Sequence, residues 1–308
     1  MSREIVKAKL DVVFKKLFTS DNDVLKSFIG DILDIPTGEI KKIEVLNPNI
    51  LPAAIDGKQS QLDLNMLVDD KTVNVEIQLR NKGDYKDRAV YYWSKLYSDQ
   101  LKRGELYKEL KRTITINILD FDLFTDSDSP YSSFSLLENN RRELLTNKCS
   151  INFFELVKVD AKIDKNNRKQ LWLQLLKAET EEDLTMLTET GVPEIQKAVV
   201  ILHQMSADEE MQEIARLREK AIRDEESAKD YYRRTALAEG LEEGIRQGME
   251  KGMEKGIRKG ISESMKKMIQ TEIVFQTPDD IIVKKLMQAF DLTEEQAYQE
   301  VQQKSRYH

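Results

Sequence analysis

Two carboxylates, Asp63 and Glu76, have the residue type and the spacing to grip one hard cation between them. The stretch QLDLNMLVDDKTVNVEIQLR, residues 61–80, alternates apolar and polar side chains in the manner of two half-buried strands joined by a turn. Asp69 and Asp70 fall at that turn, and Asp tolerates the left-handed backbone that a two-residue hairpin needs. Pairing Val68 with Lys71 sets Met66 opposite Val73, Leu64 opposite Val75 and Leu62 opposite Ile77, so that both apolar rows share one face. The other face then carries Asn65 opposite Asn74, Asp63 opposite Glu76 and Gln61 opposite Gln78, with Arg80 continuing the row. Directly opposed residues have Cβ atoms roughly 4.5–5.5 Å apart, close for two acids. Either the face is well solvated, an ordinary polar row with an accidental like-charge pair, or something positive sits between them. Mg²⁺ suits the second case, because it takes one or two carboxylates and fills its octahedron with water and phosphate oxygens.

Other chemistries have little to work with. Cys149 is the only cysteine, and the two histidines, His203 and His308, lack ligand-spaced partners, which argues against a disulfide framework, a zinc site and a histidine-based triad. The N-terminus has no signal-like apolar run and no stretch approaches a membrane span, so the expectation is a cytoplasmic protein with no membrane partner. Charged residues make up 33% of the 308, in both signs, which points to helix-rich surfaces more than to any one partner.

The elements that must hold the acids can be read in order. Residues 11–33 show helical spacing in two runs, with Ser20 and Asp21 as cap chemistry for the second. Residues 39–51 alternate enough for a first strand, leading into the hairpin. Residues 84–103 read as one helix stopped by Gly104, with Ala89, Trp93 and Leu96 on its buried stripe and Arg88, Tyr92, Lys95 and Asp99 on another. A fourth strand lies in 111–124, a polar loop begins at Asp126, a fifth strand lies in 149–160, and a helix carrying Trp172 follows. The 80–112 stretch has more basic than acidic residues, a modest phosphate-binding signal beside the acidic pair.

From Glu181 the chain reads as helix, with a break at Gly191 to Pro193 and no catalytic pattern. Glycine then recurs every fourth residue from Gly240 to Gly260, each followed by an apolar residue from Leu241 to Ile261. Each glycine weakens a helix by about 1 kcal/mol relative to alanine. Two readings stay open: a solvated low-complexity helix, or a helix stabilised by self-association through close approach. Thr277 and Thr293 open two short capped helices at the end. Three segments result: 1–205, 206–270 and 271–308.

The order helix, three strands with acids on the second and third, helix, strand resembles the PD-(D/E)xK nuclease core. FKKLF at Phe14, LDLNMLVDDKTVNVEIQLR, the run from Arg88, ITINILDF and INFFELVKVD followed by Trp172 are together similar to the recombination-promoting nuclease (Rpn) and transposase family. That resemblance implies an α/β restriction-endonuclease-like fold, a mixed sheet flanked by helices, with a largely α-helical C-terminal extension. It implies a metal-dependent DNA endonuclease with little sequence specificity, linked to recombination or mobile elements. Asp63, Glu76 and the Ile77 carbonyl would hold Mg²⁺, with Mn²⁺ or Ca²⁺ as substitutes, and Gln78 would position a water. Gln78 stands where the wider superfamily usually has lysine, and an amide supplies no positive charge. Arg80, Arg88 and Lys95 are the candidates to supply it and to hold the DNA backbone. The competing expectation is a weak or inactive nuclease core serving a DNA-binding or assembly protein, a dimer through its helical end. A strand-transfer enzyme would use the same site.

Overall fold

The computed structural model describes the backbone of residues 5–46, 49, 50, 60, 61 and 63–305, and the side chains of 5–46 and 63–303. Two units result, Met1–Arg223 and Asp224–His308.

In the first unit, the hairpin forms β4 (Leu64–Val68) and β5 (Lys71–Gln78). Its register is the one the alternation dictates, Val68 with Lys71, Met66 with Val73 and Leu64 with Val75, and Asp69 takes the left-handed conformation at φ 53°. Leu62 lies outside the described residues. Gln61 departs from expectation: it belongs to β3 (Ser60–Gln61), which pairs with β2 (Asn49–Ile50) in a separate two-stranded sheet. The anticipated first strand is short, β1 (Ile43–Val45), paired with β4 from Ile43–Val68 to Val45–Met66 and flanked by main-chain hydrogen bonds from Asp69 to Lys42 and from Leu46 to Asn65.

β6 (Thr113–Leu119) and β8 (Cys149–Glu155) extend the sheet in parallel with β5. The edge strand β7 (Tyr131–Phe134) was not anticipated; its SPYSSF sequence is polar and short, and only pairing with β8 makes it a strand. The order is β1-β4-β5-β6-β8-β7, a mixed sheet with antiparallel edges and a parallel centre. The α/β class with a nuclease-type core and helical extension therefore holds.

Helices cover both faces. On one lie α1 (Asp11–Thr19), α2 (Asn22–Leu33, capped by the Asp21 carboxylate), α4 (Arg168–Lys177), α5 (Glu181–Thr188) and α6 (Pro193–Ala207), together with the start of α7 (Glu209–Val274). Phe14, Phe18, Phe28 and Trp172 form the aromatic centre of this core, and truncating one to alanine would cost about 3–5 kcal/mol. The Trp172 indole N–H is satisfied by Asp31, which also receives Arg168. On the other face lies α3 (Tyr85–Ser98), the crossover between β5 and β6. It ends a turn earlier than its sequence suggests, because after Asp99 the chain turns back through Gly104, at φ 96°, toward β6.

In the second unit, Met265 and Ile269 of α7 pack with Ile282 and Leu286 of α8 (Asp279–Phe290) and with Ala297 and Val301 of α9 (Glu294–Ser305). Thr293 and Gln296 make the reciprocal cap, whereas Thr277 instead donates its hydroxyl to Glu272.

Candidate metal-dependent nuclease site

The alternation of β5 sends Val73, Val75 and Ile77 into the main core and turns Asn74, Glu76 and Gln78 toward α3. Parallel strands in the middle of a sheet are buried on both faces, so the polar row of β5 is buried too. Glu76 is only 5% exposed. It receives a hydrogen bond from Asn74 Nδ2 at 3.1 Å, and the main-chain amide of Asp63 lies against it. Asp63 itself sits in the bend just before β4, outside the ladder, and its Oδ2 accepts the Ile77 N–H at 2.7 Å. The two acids thus meet across neighbouring segments, through a side chain turned onto the next strand's backbone instead of through a regular cross-strand pair.

Burial dominates their protonation. It raises Asp63 to about 6, against the opposing pull of the Ile77 N–H, with the charge of Asp11 raising it further and those of Arg88 and Lys15 lowering it. Burial first, and then the Asp63 charge, raises Glu76 to about 8, opposed by Asn74 and Arg88. Tyr85 is pushed well above its ordinary value by burial and by Glu76. Its hydroxyl donates to Asn117 Oδ1 at 3.0 Å, tying α3 to β6.

Of the sequence-derived cations, Arg88 reaches the site. Its Nη2 donates to Gln78 Oε1, and its guanidinium lies 4.6 Å from the Tyr85 ring centroid and 5.7 Å from that of Tyr92. Because an arginine only donates, this contact orients the Gln78 amide, oxygen toward Arg88 and Nε2 left to donate. Lys95, two turns further along α3, is held by Asp99 at 3.0 Å. Arg80 is half-buried just beyond β5.

The donor set suits a small hard cation. Among the described residues no group of three or more acidic, histidine or cysteine side chains is placed to hold a metal ion, so the candidate here is a pair of acids, a number that Mg²⁺ commonly uses. Asn65 Oδ1 and Asn74 Oδ1, opposed on the same polar face, are buried acceptors with no hydrogen-bond partner among the described residues. Buried oxygens without donors beside two acids form an environment that attracts positive charge. Asn65, Asn74, Tyr85 and Asn117 carried no signal in the sequence beyond polar positions in strands and a helix start.

Residues 8–232 match the family described as PD-(D/E)XK nuclease family transposase. The chain belongs to this family. No curated protein and no solved structure matches it. Membership of a PD-(D/E)XK nuclease family assigns the chain a nuclease- or transposase-related role with DNA as the implied substrate, and nucleases of this kind typically use divalent metals. No described helix is long and apolar enough to cross a membrane.

Proposed function

We propose that this chain is a Mg²⁺-dependent DNA endonuclease whose site is Asp63, Glu76 and the Ile77 carbonyl for the cation, with Gln78 and Arg88 beside it. The observation that carries this is the buried Glu76 beside the half-buried Asp63, each raised in pKa, on a face that also holds partnerless amide oxygens. A divalent cation bound there supplies a polarised scissile phosphate and a water of lowered pKa. The chain's own residues do the rest. Arg88 brings the positive charge that Gln78 lacks, oriented by its bond to that amide and by the Tyr85 ring. Gln78 Nε2 is free to hold a phosphate oxygen or an incoming water by donation. Arg80 and Lys95 contribute to the DNA backbone track, giving salt-sensitive binding with little base preference.

The test is nicking of supercoiled plasmid with Mg²⁺, with Mn²⁺ and Ca²⁺ compared. Asp63→Ala and Glu76→Ala should each abolish it with the fold intact; undiminished cleavage by both excludes this site. Strand transfer would use a DNA 3′-hydroxyl in place of water, and joined products from oligonucleotide ends would distinguish it.

A second reading, a cytoplasmic DNA-binding or assembly protein with a weak core, draws on the exposed apolar row from Leu241 to Ile261. In either reading the partners are DNA and a second copy of the chain, met through the helical C-terminal part. Segments 1–205, 206–270 and 271–308 divide the work into nuclease domain, glycine-repeat helix and small helical end.

A further inference from the structure

α3 carries more than the cations already placed on the DNA track. At about 100° per residue, Arg88, Tyr91, Tyr92 and Lys95 fall within one arc of about 100°, beside the buried stripe of Tyr85, Ala89 and Leu96. Arg88 fixes which side of the helix this is, because its guanidinium reaches Gln78 at the end of β5. Cation, ring, ring and cation therefore follow one another along the flank that borders the site, over roughly 10 Å from Arg88 to Lys95. Within the row, Tyr92 packs against Leu96 and lies 5.7 Å from the Arg88 guanidinium. Tyr91 is turned to solvent, 42% exposed, with its ring centroid 6.0 Å from that of Tyr92 and tilted by 55°.

The loop after the helix has the same character. Between Leu101 and Arg112 five exposed cations, Lys102, Arg103, Lys108, Lys111 and Arg112, stand against two acids, Glu105 and Glu109. The loop is pinned back to the end of α3, since the Gln100 side chain accepts from the Lys111 N–H at 2.7 Å and donates to Thr113 Oγ1 at 2.7 Å. Among these cations Tyr107 is 84% exposed and makes neither a hydrogen bond nor a ring contact with any described residue. Positive charge attracts phosphates of any DNA, but a flat ring has its use only against a base whose own face is uncovered. In a duplex each base is already covered by its neighbours. An unpaired nucleotide presents a face and keeps its phosphate, which is the combination that alternating rings and cations serve.

We propose that this flank of α3 and the loop after it take single-stranded DNA, with Tyr91 and Tyr107 stacking on unpaired bases. The preferred substrate of the site is then DNA with unpaired nucleotides. This rests on DNA being the substrate, as proposed above, and binding is read apart from cleavage. Fluorescence anisotropy follows a labelled oligonucleotide of about 16 nucleotides, single-stranded or annealed to its complement. The protein is the full chain carrying Glu76→Gln, in Mg²⁺ at fixed salt. The single strand should bind at least about fivefold more tightly than the duplex, the lower bound for one stacked base. Tyr91→Leu with Tyr107→Leu, both at exposed positions, should remove that difference with circular dichroism unchanged. Tyr91→Phe with Tyr107→Phe should keep it, because stacking survives loss of the hydroxyl whereas a hydroxyl contact to phosphate does not. A duplex bound as tightly as the single strand, leucine variants that keep the preference, or phenylalanine variants that lose it would each overturn the proposal. Cleavage by the unaltered chain is scored in the plasmid assay. Single-strand binding without cleavage would defeat the metal site and leave the stacking track standing; cleavage without single-strand preference would do the reverse.

Discussion

The polar row of β5 and the repeat of α7 break the usual distribution of residues in opposite senses. One holds an acid and amide oxygens without partners in a sheet whose other buried amides, Asn117 and Asn152, are hydrogen-bonded; the other exposes six large apolar side chains where the surrounding helix is charged. Each feature is costly for an isolated chain, and on the reading proposed above a cation and phosphate would relieve the first and a partner helix the second. Local conflict with folding rules, concentrated at two places in a molecule that otherwise obeys them, marks where function is expected.

The largest contrast would come from Asp63→Ala and Glu76→Ala, which should each lower plasmid cleavage by at least about 10³-fold while thermal unfolding shows an intact core. Equal damage from Met249→Asp would erase the distinction between the two regions. Next, Arg88→Ala should lower kcat by about 10²-fold, the typical loss for a preorganised charged donor. Arg88→Lys should recover part of this, because it restores charge without the planar contact to Tyr85 and Gln78. A variant unaffected in kcat would reduce Arg88 to a packing residue.

The pH dependence sharpens the comparison without any substrate. Asp63 and Glu76 bind protons more tightly folded, at about 6 and about 8, than at their ordinary values of 3.8 and 4.5. Between pH 4 and 8 the folded state therefore carries more protons, so metal-free stability falls as pH rises through that window and is greatest at its acid end as far as these groups are concerned. Melting of the metal-free protein across this range should show the decline, Glu76→Gln should flatten it, and added Mg²⁺ should stabilise more strongly at the alkaline end. A rise in Tm with pH that Glu76→Gln leaves unchanged would contradict the assignment. The smallest effect belongs to the repeat. Gly244→Ala or Gly256→Ala should strengthen the helix by up to about 1 kcal/mol, visible as added helicity on heating, with cleavage unchanged.

Much of the first unit was legible because strand period and turn chemistry are local. Val68, Lys71 and Asp69 determined the hairpin, and the Asp21 cap, the crossover helix and the Gly191 to Pro193 break all lie where residue type demands them. What escaped depends on neighbours far along the chain. β7 becomes a strand only because β8 offers an edge, and Gln61 leaves the hairpin for a pairing with Asn49. Asp63 approaches Glu76 from a bend and not from a ladder position, which alternation alone does not indicate.

The sequence by itself determined the register of the hairpin, from Val68 with Lys71 to Leu64 with Val75, since a two-residue period leaves no other choice once the turn is set; the approach of Asp63 to Glu76 from the bend before β4 came from the tertiary structure. It also determined the helical end and its four-residue repeat. Only the tertiary structure decided how buried Glu76 is, that Arg88 and not Lys95 reaches Gln78, and which asparagine oxygens lack partners. Those depend on α3 lying across the β5 face, and desolvation is a property of what surrounds a residue, which no local pattern records.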